Sequence, residues 1–224
     1  MDRLIHDLYT KNIIEIKKTK IKNELVVPFY FNLLKIFEYP TILDLFLSEF
    51  YEFIVHSKID YNCIYGKNDL CKNICTLISY KFNLKNIVRE NLRSYRECDD
   101  KLKCLIIKEN LGNSSKTDKL KKTLNSFNID VSNTISLVNY NTSNTSSSSF
   151  YFLDCFKILQ VLYSTKMIEY NKFLNIYLYL SNNSYLNLEQ RVTSKKNPKS
   201  NINDLVKIVI KKKSLILFCT SVIQ

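Results

Sequence analysis

Residues 104–116 read Cys-Leu-Ile-Ile-Lys-Glu-Asn-Leu-Gly-Asn-Ser-Ser-Lys. The apolar start of this stretch predicts a buried strand, its polar middle predicts a loop, and a helix is predicted from about residue 115. A strand followed by a polar loop and a helix is a phosphate-binding architecture, because the loop and the first turn of the helix present backbone N–H groups to an anion. This stretch therefore predicts an α/β fold.

The rest of the chain continues the alternation of strands and helices. Helices are predicted at 1–17, 40–57, 68–80, 115–126, 153–163 and 167–180. Strands or extended segments are predicted at 24–34, 61–65, 86–88, 103–107 and 131–138. The charged segment 89–101 is predicted to be a mobile loop, and 139–149 is a low-complexity tract. This alternation predicts a parallel sheet with crossover helices.

Composition sets broad limits on the class of protein. The 224 residues suit one sizeable domain, and a formal net charge of +12 is compatible with an anionic partner such as nucleic acid. Most of that charge comes from lysine, whereas bidentate recognition of phosphates and bases favours arginine. A lysine-rich, asparagine-rich and isoleucine-rich composition is also what an AT-rich genome would produce, so nucleic-acid binding is a secondary hypothesis.

The seven cysteines and the N-terminal segment indicate a protein inside a cell. No secretory signal or membrane-spanning run is visible, so we expect a cytoplasmic protein with free thiols and no membrane association. Cys71 and Cys75 are four residues apart and are predicted to share a helix face. With only His6 and His56 as histidines, buried cysteines are a better interpretation than a zinc site, and no metal site is predicted.

Residues 27–34 read Val-Pro-Phe-Tyr-Phe-Asn-Leu-Leu, and residues 59–66 read Ile-Asp-Tyr-Asn-Cys-Ile-Tyr-Gly. The first segment is similar to a Ser-Pro-x-Tyr-x-Asp-Leu-Arg segment, and the second to the strand and glycine that open a pyrophosphate loop, in the orotate phosphoribosyltransferase half of bifunctional UMP synthase. This half is a type I phosphoribosyltransferase family. From Cys104 to Val138 the strand, loop, helix and strand align without a gap. The resemblance implies a Rossmann-like parallel sheet flanked by helices.

The resemblance also implies a domain organisation. Residues 1–180 correspond to the phosphoribosyltransferase-like domain, 181–201 to a linker, and 202–224 to the first helix and strand of the orotidylate decarboxylase barrel that follows in UMP synthase. The predicted helix at 202–212 and strand at 215–222 agree with this correspondence. A lone barrel strand has no closed sheet to join, so this remnant is not expected to catalyse decarboxylation.

The resemblance assigns a site for phosphoribosyl pyrophosphate, and several of its residues differ from the family pattern. Lys108 replaces the first of two acidic residues that hold the ribose hydroxyls, and Asn32-Leu33-Leu34 lacks the arginine of Asp-Leu-Arg. The residual site is predicted to consist of Glu109, Gly112, Ser114 and Ser115 in the phosphate loop, Gly66 and Lys67 in the pyrophosphate loop, and the loop cations Arg89, Arg93 and Arg96.

These substitutions favour a catalytically inactive, phosphoribosyltransferase-like protein that is retained for binding, as a scaffold or as a structural protein. No cofactor is then expected, and the partner is a second copy or another protein. One alternative is a divergent active orotate phosphoribosyltransferase, which would use Mg²⁺. Another is a sensor of phosphoribosyl pyrophosphate or a nucleic-acid-binding regulator, suggested by lysine-rich faces at 116–122 and 207–213.

Overall fold

The computed structural model describes residues 1–20, 26–96, 102–110, 114–140 and 149–193; for 114–116, 149 and 182–193 only the backbone is described. The helices are α1 (Asp2–Thr10), α2 (Pro40–His56), α3 (Asp69–Phe82), α4 (Ser114–Asn125), α5 (Cys155–Ser164) and α6 (Tyr170–Thr193). The strands are β1 (Ile14–Lys20), β2 (Val26–Phe31), β3 (Cys63–Gly66), β4 (Lys85–Asn86), β5 (Leu102–Asn110), β6 (Ile129–Asn139) and β7 (Ser149–Asp154). Two 3₁₀ helices span Leu33–Glu38 and Arg89–Tyr95.

The central sheet has five parallel strands in the order β4-β3-β5-β6-β7. A separate antiparallel pair, β1 and β2, precedes it in the chain. Helix α3 connects β3 to β4, and α4 connects β5 to β6, as expected for parallel strands joined by crossover helices. The prediction of a parallel α/β sheet flanked by helices is confirmed for the described residues.

Side chains of the central strand β5 alternate between two cores, since successive residues of a strand point to opposite faces. Leu105 and Ile107 belong to the larger core, which includes buried residues of α1, α2, α3 and α5. Cys104 and Ile106 belong to a smaller core with Leu124 of α4. A strand that is apolar on both faces must be covered on both faces, so β5 lies at the centre of the fold.

Four segments differ from the prediction. The helix predicted at 1–17 ends at Thr10, and Ile14–Lys20 instead pairs with β2 after a left-handed residue, Asn12, at φ 52°. The loop predicted at 89–101 is a 3₁₀ helix over Arg89–Tyr95, because Leu92 is buried in the smaller core. Strand β7 was not predicted, since its polar end lies in the low-complexity tract. Helix α6 continues to Thr193, into the predicted linker.

The chain divides into two compact units, Met1–Ser184 and Tyr185–Gln224. The first unit contains both sheets. Of the second, only the backbone of residues 185–193 is described, and the predicted decarboxylase remnant at 202–224 lies outside the described residues. Within the described part of the chain, no helix has the length and apolar character needed to cross a membrane.

Candidate functional site

The carboxyl ends of the parallel strands carry most of the polar side chains of the candidate site. Glu109 lies near the end of β5, Asn139 ends β6, Asp154 ends β7, and Lys67 directly follows β3. In open α/β sheets, ligands bind at this edge of the sheet. The fold thus places along one edge of the sheet side chains that are up to 87 positions apart in the chain, from Lys67 to Asp154.

Gly66 allows the end of β3 to pack directly against the backbone of α3. A Cβ atom at this position would lie 2.5 Å from the carbonyl carbon and 2.6 Å from the carbonyl oxygen of Cys71, and would also clash with the Lys72 nitrogen. Those atoms are backbone and cannot move aside as a side chain would. Glycine is therefore required here for close approach, and this contact sets the position of Lys67 and Asn68.

Asn68 connects the start of α3 to the end of β5. Its Oδ1 accepts a hydrogen bond from the Cys71 backbone N–H at 3.0 Å, which caps the helix. Its Nδ2 donates to Glu109 Oε2 at 2.7 Å. Asparagine can do both because its amide has separate donor and acceptor atoms. The remaining carboxylate of the predicted ribose site is therefore engaged by the protein itself.

Lys67 connects the loop after β3 to helix α4. Its Nζ donates to Thr117 Oγ1 at 3.0 Å, and its backbone N–H donates to the Ile107 carbonyl at 2.9 Å. Thr117 is 6% exposed. The side chain of Lys67 thus joins the loop after β3 to the first turns of α4.

Lys108 is a buried cation in β5. Its side chain is 8% exposed, and burial lowers its pKa, as do the charges of Lys67 and Lys121, while Asp118 acts in the opposite direction. Lysine has only donors, so it cannot accept hydrogen bonds from the ribose hydroxyls as a carboxylate does.

Asn139 and Asp154 are joined in the same way as Asn68 and Glu109. Asn139 Nδ2 donates to Asp154 Oδ2 at 2.8 Å. Asp154 Oδ1 accepts hydrogen bonds from the backbone N–H groups of Phe156 and Lys157 and so caps α5.

Tyr140, the residue after Asn139, packs edge-to-face on Phe31 at 5.4 Å between ring centroids. Burial raises the pKa of the Tyr140 hydroxyl above its usual range, so it stays a neutral donor.

The described side chains do not fit Mg²⁺. Magnesium prefers several oxygen ligands, usually carboxylates together with water or phosphate oxygens. Here the Glu109 carboxylate is bonded to Asn68, and the adjacent strand position is occupied by a lysine, Lys108, which offers no oxygen ligand. Among the described residues, no group of three or more His, Cys, Asp or Glu side chains is placed to hold a metal ion.

Apart from the three arginines, the predicted site residues fall into three groups. Gly66, Lys67 and Glu109 lie at the carboxyl edge of the sheet. Ser114 and Ser115 begin α4, directly after the phosphate loop, with only their backbone described. Gly112 lies outside the described residues, and so does the lysine-rich segment 207–213, so nucleic-acid binding through that segment stays a prediction.

The predicted loop cations lie on or next to the 3₁₀ helix that follows β4. Arg89, Arg93 and Arg96 are all exposed. The Arg96 guanidinium lies over the Phe127 ring, 5.1 Å from its centroid, and so is held against the loop between α4 and β6. β4, which precedes this 3₁₀ helix in the chain, is the edge strand of the parallel sheet, on the far side of β3 from β5.

Four residues that position the site are not among the site residues predicted from the sequence: Asn68, Thr117, Asn139 and Asp154. Asn68 and Asp154 each directly precede a predicted or observed helix, and an Asn or Asp at that place is a typical N-cap signal. Their second partners, Glu109 and Asn139, are distant in sequence, so no local pattern indicates them.

Comparison with protein-family models and with curated proteins gave no match. Solved structures do match. A UMP synthase from Leishmania donovani aligns with 81% of this chain at a TM-score of 0.66 and 16% identity. That alignment spans only 42% of the length of the synthase.

Two orotate phosphoribosyltransferases align over nearly their whole length. The Francisella tularensis enzyme has a TM-score of 0.60 and 12% identity, covering 80% of this chain and 98% of the other. The Aeropyrum pernix enzyme has a TM-score of 0.54 and 10% identity, covering 72% and 98%. Identities this low establish the fold and not the activity. The chain has the fold of the type I phosphoribosyltransferases.

Proposed function

We propose that this chain is a phosphoribosyltransferase-like protein that no longer transfers phosphoribosyl groups and acts by binding. The observation that carries the proposal is the buried Lys108 ammonium, in the strand position where the resemblance implies a carboxylate. An acceptor for the ribose hydroxyls is replaced there by a cation that can only donate.

The neighbouring contacts support the same conclusion. The Glu109 carboxylate bonds to Asn68, and the Lys67 ammonium bonds to Thr117, so both groups have partners within the protein. Phosphoribosyl transfer depends on positioned charges that stabilise the transition state. Loss of each such contact typically costs about 2–4 kcal/mol, and several losses reduce the rate by many powers of ten.

The direct test is an assay of the full chain with Mg²⁺, phosphoribosyl pyrophosphate and orotate. We expect no orotidylate above the enzyme-free background, while the Francisella tularensis orotate phosphoribosyltransferase assayed in parallel shows that the assay works. Orotidylate formation that disappears in Glu109→Gln would overturn the proposal, because it would show turnover at this site and not from a contaminant.

A second candidate is a divergent active enzyme with Lys67, Arg89, Glu109, Ser114 and Ser115 as its site. It is favoured by one observation: α4 begins at Ser114, directly after the β5 loop, and its first-turn backbone N–H groups remain suited to a phosphate. Calorimetric titration with phosphoribosyl pyrophosphate separates these proposals. Micromolar binding with turnover supports the enzyme, and binding without turnover supports a sensor.

A non-catalytic protein must act through its surface, and we propose self-association through α5 and α6. Tyr163 stacks on Phe173 at 4.6 Å between centroids, and Phe173 stacks on Tyr177 at 5.9 Å. Tyr163 and Tyr170 are 40% and 54% exposed, so this aromatic row reaches the surface. We expect a dimer by sedimentation equilibrium that Tyr170→Ser weakens; a monomer at micromolar concentration would contradict this part of the proposal.

A further inference from the structure

Two buried cysteines lie side by side on the neighbouring strands β3 and β5. Cys63 of β3 pairs in register with Cys104 of β5. Both are free thiols, both are 0% exposed, and both side chains belong to the smaller core, so they lie on the same face of the sheet. The fold thereby brings together two thiols that are 41 positions apart in the chain.

The backbone spacing at this pair of residues suits a disulfide. Neighbouring strands lie about 4.7–4.9 Å apart, and the Cα atoms joined by a disulfide are usually about 4.4–6.8 Å apart. The Cys63 side chain also has a suitable direction, because its Sγ lies 3.5 Å from the carbonyl oxygen of Lys103, the residue before Cys104. The sulfur of Cys63 is thus directed towards β5.

The surroundings favour Cys63 as the thiol that reacts first. A hydrogen bond with the Cys104 side chain lowers the pKa of Cys63, burial raises it, and the charge of Lys85, its register partner on β4, lowers it, so that this pKa lies below its usual value. The same hydrogen bond, together with burial, raises the pKa of Cys104. Because the thiolate is the nucleophile in cysteine oxidation, the pair has one more reactive and one less reactive member.

We infer that Cys63 and Cys104 form a reversible disulfide when the protein is exposed to hydrogen peroxide. The Cys63 thiolate attacks the peroxide, so that a sulfur–oxygen bond forms, the oxygen–oxygen bond breaks and hydroxide leaves. The Cys104 sulfur then attacks the Cys63 sulfur, and the departing hydroxyl group takes the Cys104 proton and leaves as water. Both cysteines are oxidised and the peroxide is reduced. The inference does not depend on the proposed function.

Strand β4 provides the route by which the peroxide reaches Cys63. This strand has only two residues, Lys85 and Asn86, and is the edge strand next to β3. Short elements with few contacts open locally at a lower free energy than the centre of a sheet. The disulfide joins β3 to β5, the strands that lead to Lys67 and Glu109, so oxidation restrains the two strand ends of the candidate site.

The test is oxidation of the folded full chain with hydrogen peroxide, followed by alkylation of the remaining thiols in denaturant and peptide mapping by mass spectrometry. We expect a pair of peptides linked through Cys63 and Cys104 that dithiothreitol separates. The oxidised protein is expected to unfold at a higher temperature than the reduced protein, since the disulfide restricts the unfolded chain.

Three variants distinguish this pair from general oxidation of thiols. Cys63→Ala and Cys104→Ala each remove one partner and are expected to abolish the linked peptides and the rise in unfolding temperature. Cys155→Ala makes the same change at another buried cysteine and is expected to retain both effects. Mapping of the parent chain needs no variant, so the inference is tested even if a substitution prevents folding.

Three results would overturn the inference: complete alkylation of Cys63 and Cys104 after oxidation, linkage of Cys63 to a different cysteine such as Cys71 or Cys75, or a sulfinic acid at Cys63 without any linked product. The last result would show that Cys104 does not reach the oxidised sulfur of Cys63. These results are distinct from failure of the proposed function, which would appear as orotidylate formation in the separate assay.

Discussion

Asn68 Nδ2 lies 2.7 Å from Glu109 Oε2, so the cap of α3 is also the partner of the carboxylate at the end of β5. One side chain thereby joins two adjacent strand ends of the sheet. The hydrogen bond holds the Glu109 carboxylate in a fixed direction, and the cap holds Asn68 in place. The geometry of the candidate site thus depends on a residue that no local pattern assigns to it.

Replacing Asn68 tests this double role. Asn68→Ala removes the cap and the hydrogen bond to Glu109, and we expect the free energy of unfolding to fall by about 1–2 kcal/mol in urea denaturation. Asn68→Asp keeps an acceptor for the Cys71 N–H but places a carboxylate against Glu109. We expect the loss of free energy of unfolding in Asn68→Asp, relative to the parent, to be smaller in 1 M salt, since salt screens like-charge repulsion. A salt-independent deficit would show that the Glu109 contact contributes little.

Gly66→Ala is expected to destabilise the protein by about 1–3 kcal/mol or more, because its Cβ would overlap the backbone of α3. Gly66→Ser adds a further atom at the same place and should destabilise the protein more than Gly66→Ala does. Thermal unfolding of both variants provides the measurement. If Gly66→Ala unfolds at the same temperature as the parent, the close contact between β3 and α3 is not as tight as the structure gives it.

Lys108→Met is expected to raise the free energy of unfolding at pH 7 by about 1–3 kcal/mol in phosphate-free buffer, because it removes a poorly paired buried charge. The pKa of Lys108 is lower in the folded protein than its unfolded value of about 10.4. The buried charge of Lys108 therefore lowers the free energy of unfolding by its full amount at pH values below the folded pKa. This destabilisation disappears as the pH rises towards the unfolded pKa.

The gain in the free energy of unfolding from Lys108→Met should accordingly decrease between pH 7 and pH 10.5. Lys119→Met, an exposed position on α4, is the matched control and should change stability little at either pH. A Lys108→Met protein less stable than the parent at pH 7 would show that the Lys108 ammonium is well compensated in the fold.

Asp154 caps α5 and accepts a hydrogen bond from Asn139. Asp154→Ala is expected to cost about 1–3 kcal/mol, since it removes both interactions. Asp154→Ser keeps a capping oxygen, but its side chain is too short to reach Asn139 in the same way. Its loss of free energy of unfolding should therefore be about half that of Asp154→Ala. Equal losses for the two variants in chemical denaturation would mean that the cap contributes almost nothing.

The long amphipathic and apolar segments were predictable from sequence because their periodicity is local. The helix at Pro40–His56 and the strand at Leu102–Asn110 follow such patterns closely. Strands β1 and β7 were not predictable in this way, because short strands depend on their neighbours. Ile14–Lys20 forms a strand by pairing with β2, and Ser149–Asp154 forms one by pairing with β6. Pairing between distant segments leaves a weak local signal.

The sequence by itself determined that this is a parallel α/β protein, that Gly66 and Glu109 each follow a predicted strand, and that a lysine occupies position 108. Tertiary structure alone decided that Asn68 meets Glu109, that Lys67 reaches Thr117, and that Lys108 lies in register with Ser136. The physical reason is the range of the interactions. Hydrophobic periodicity and helix caps act over a few residues, whereas the polar contacts of the site join strand ends that only the folded sheet brings together.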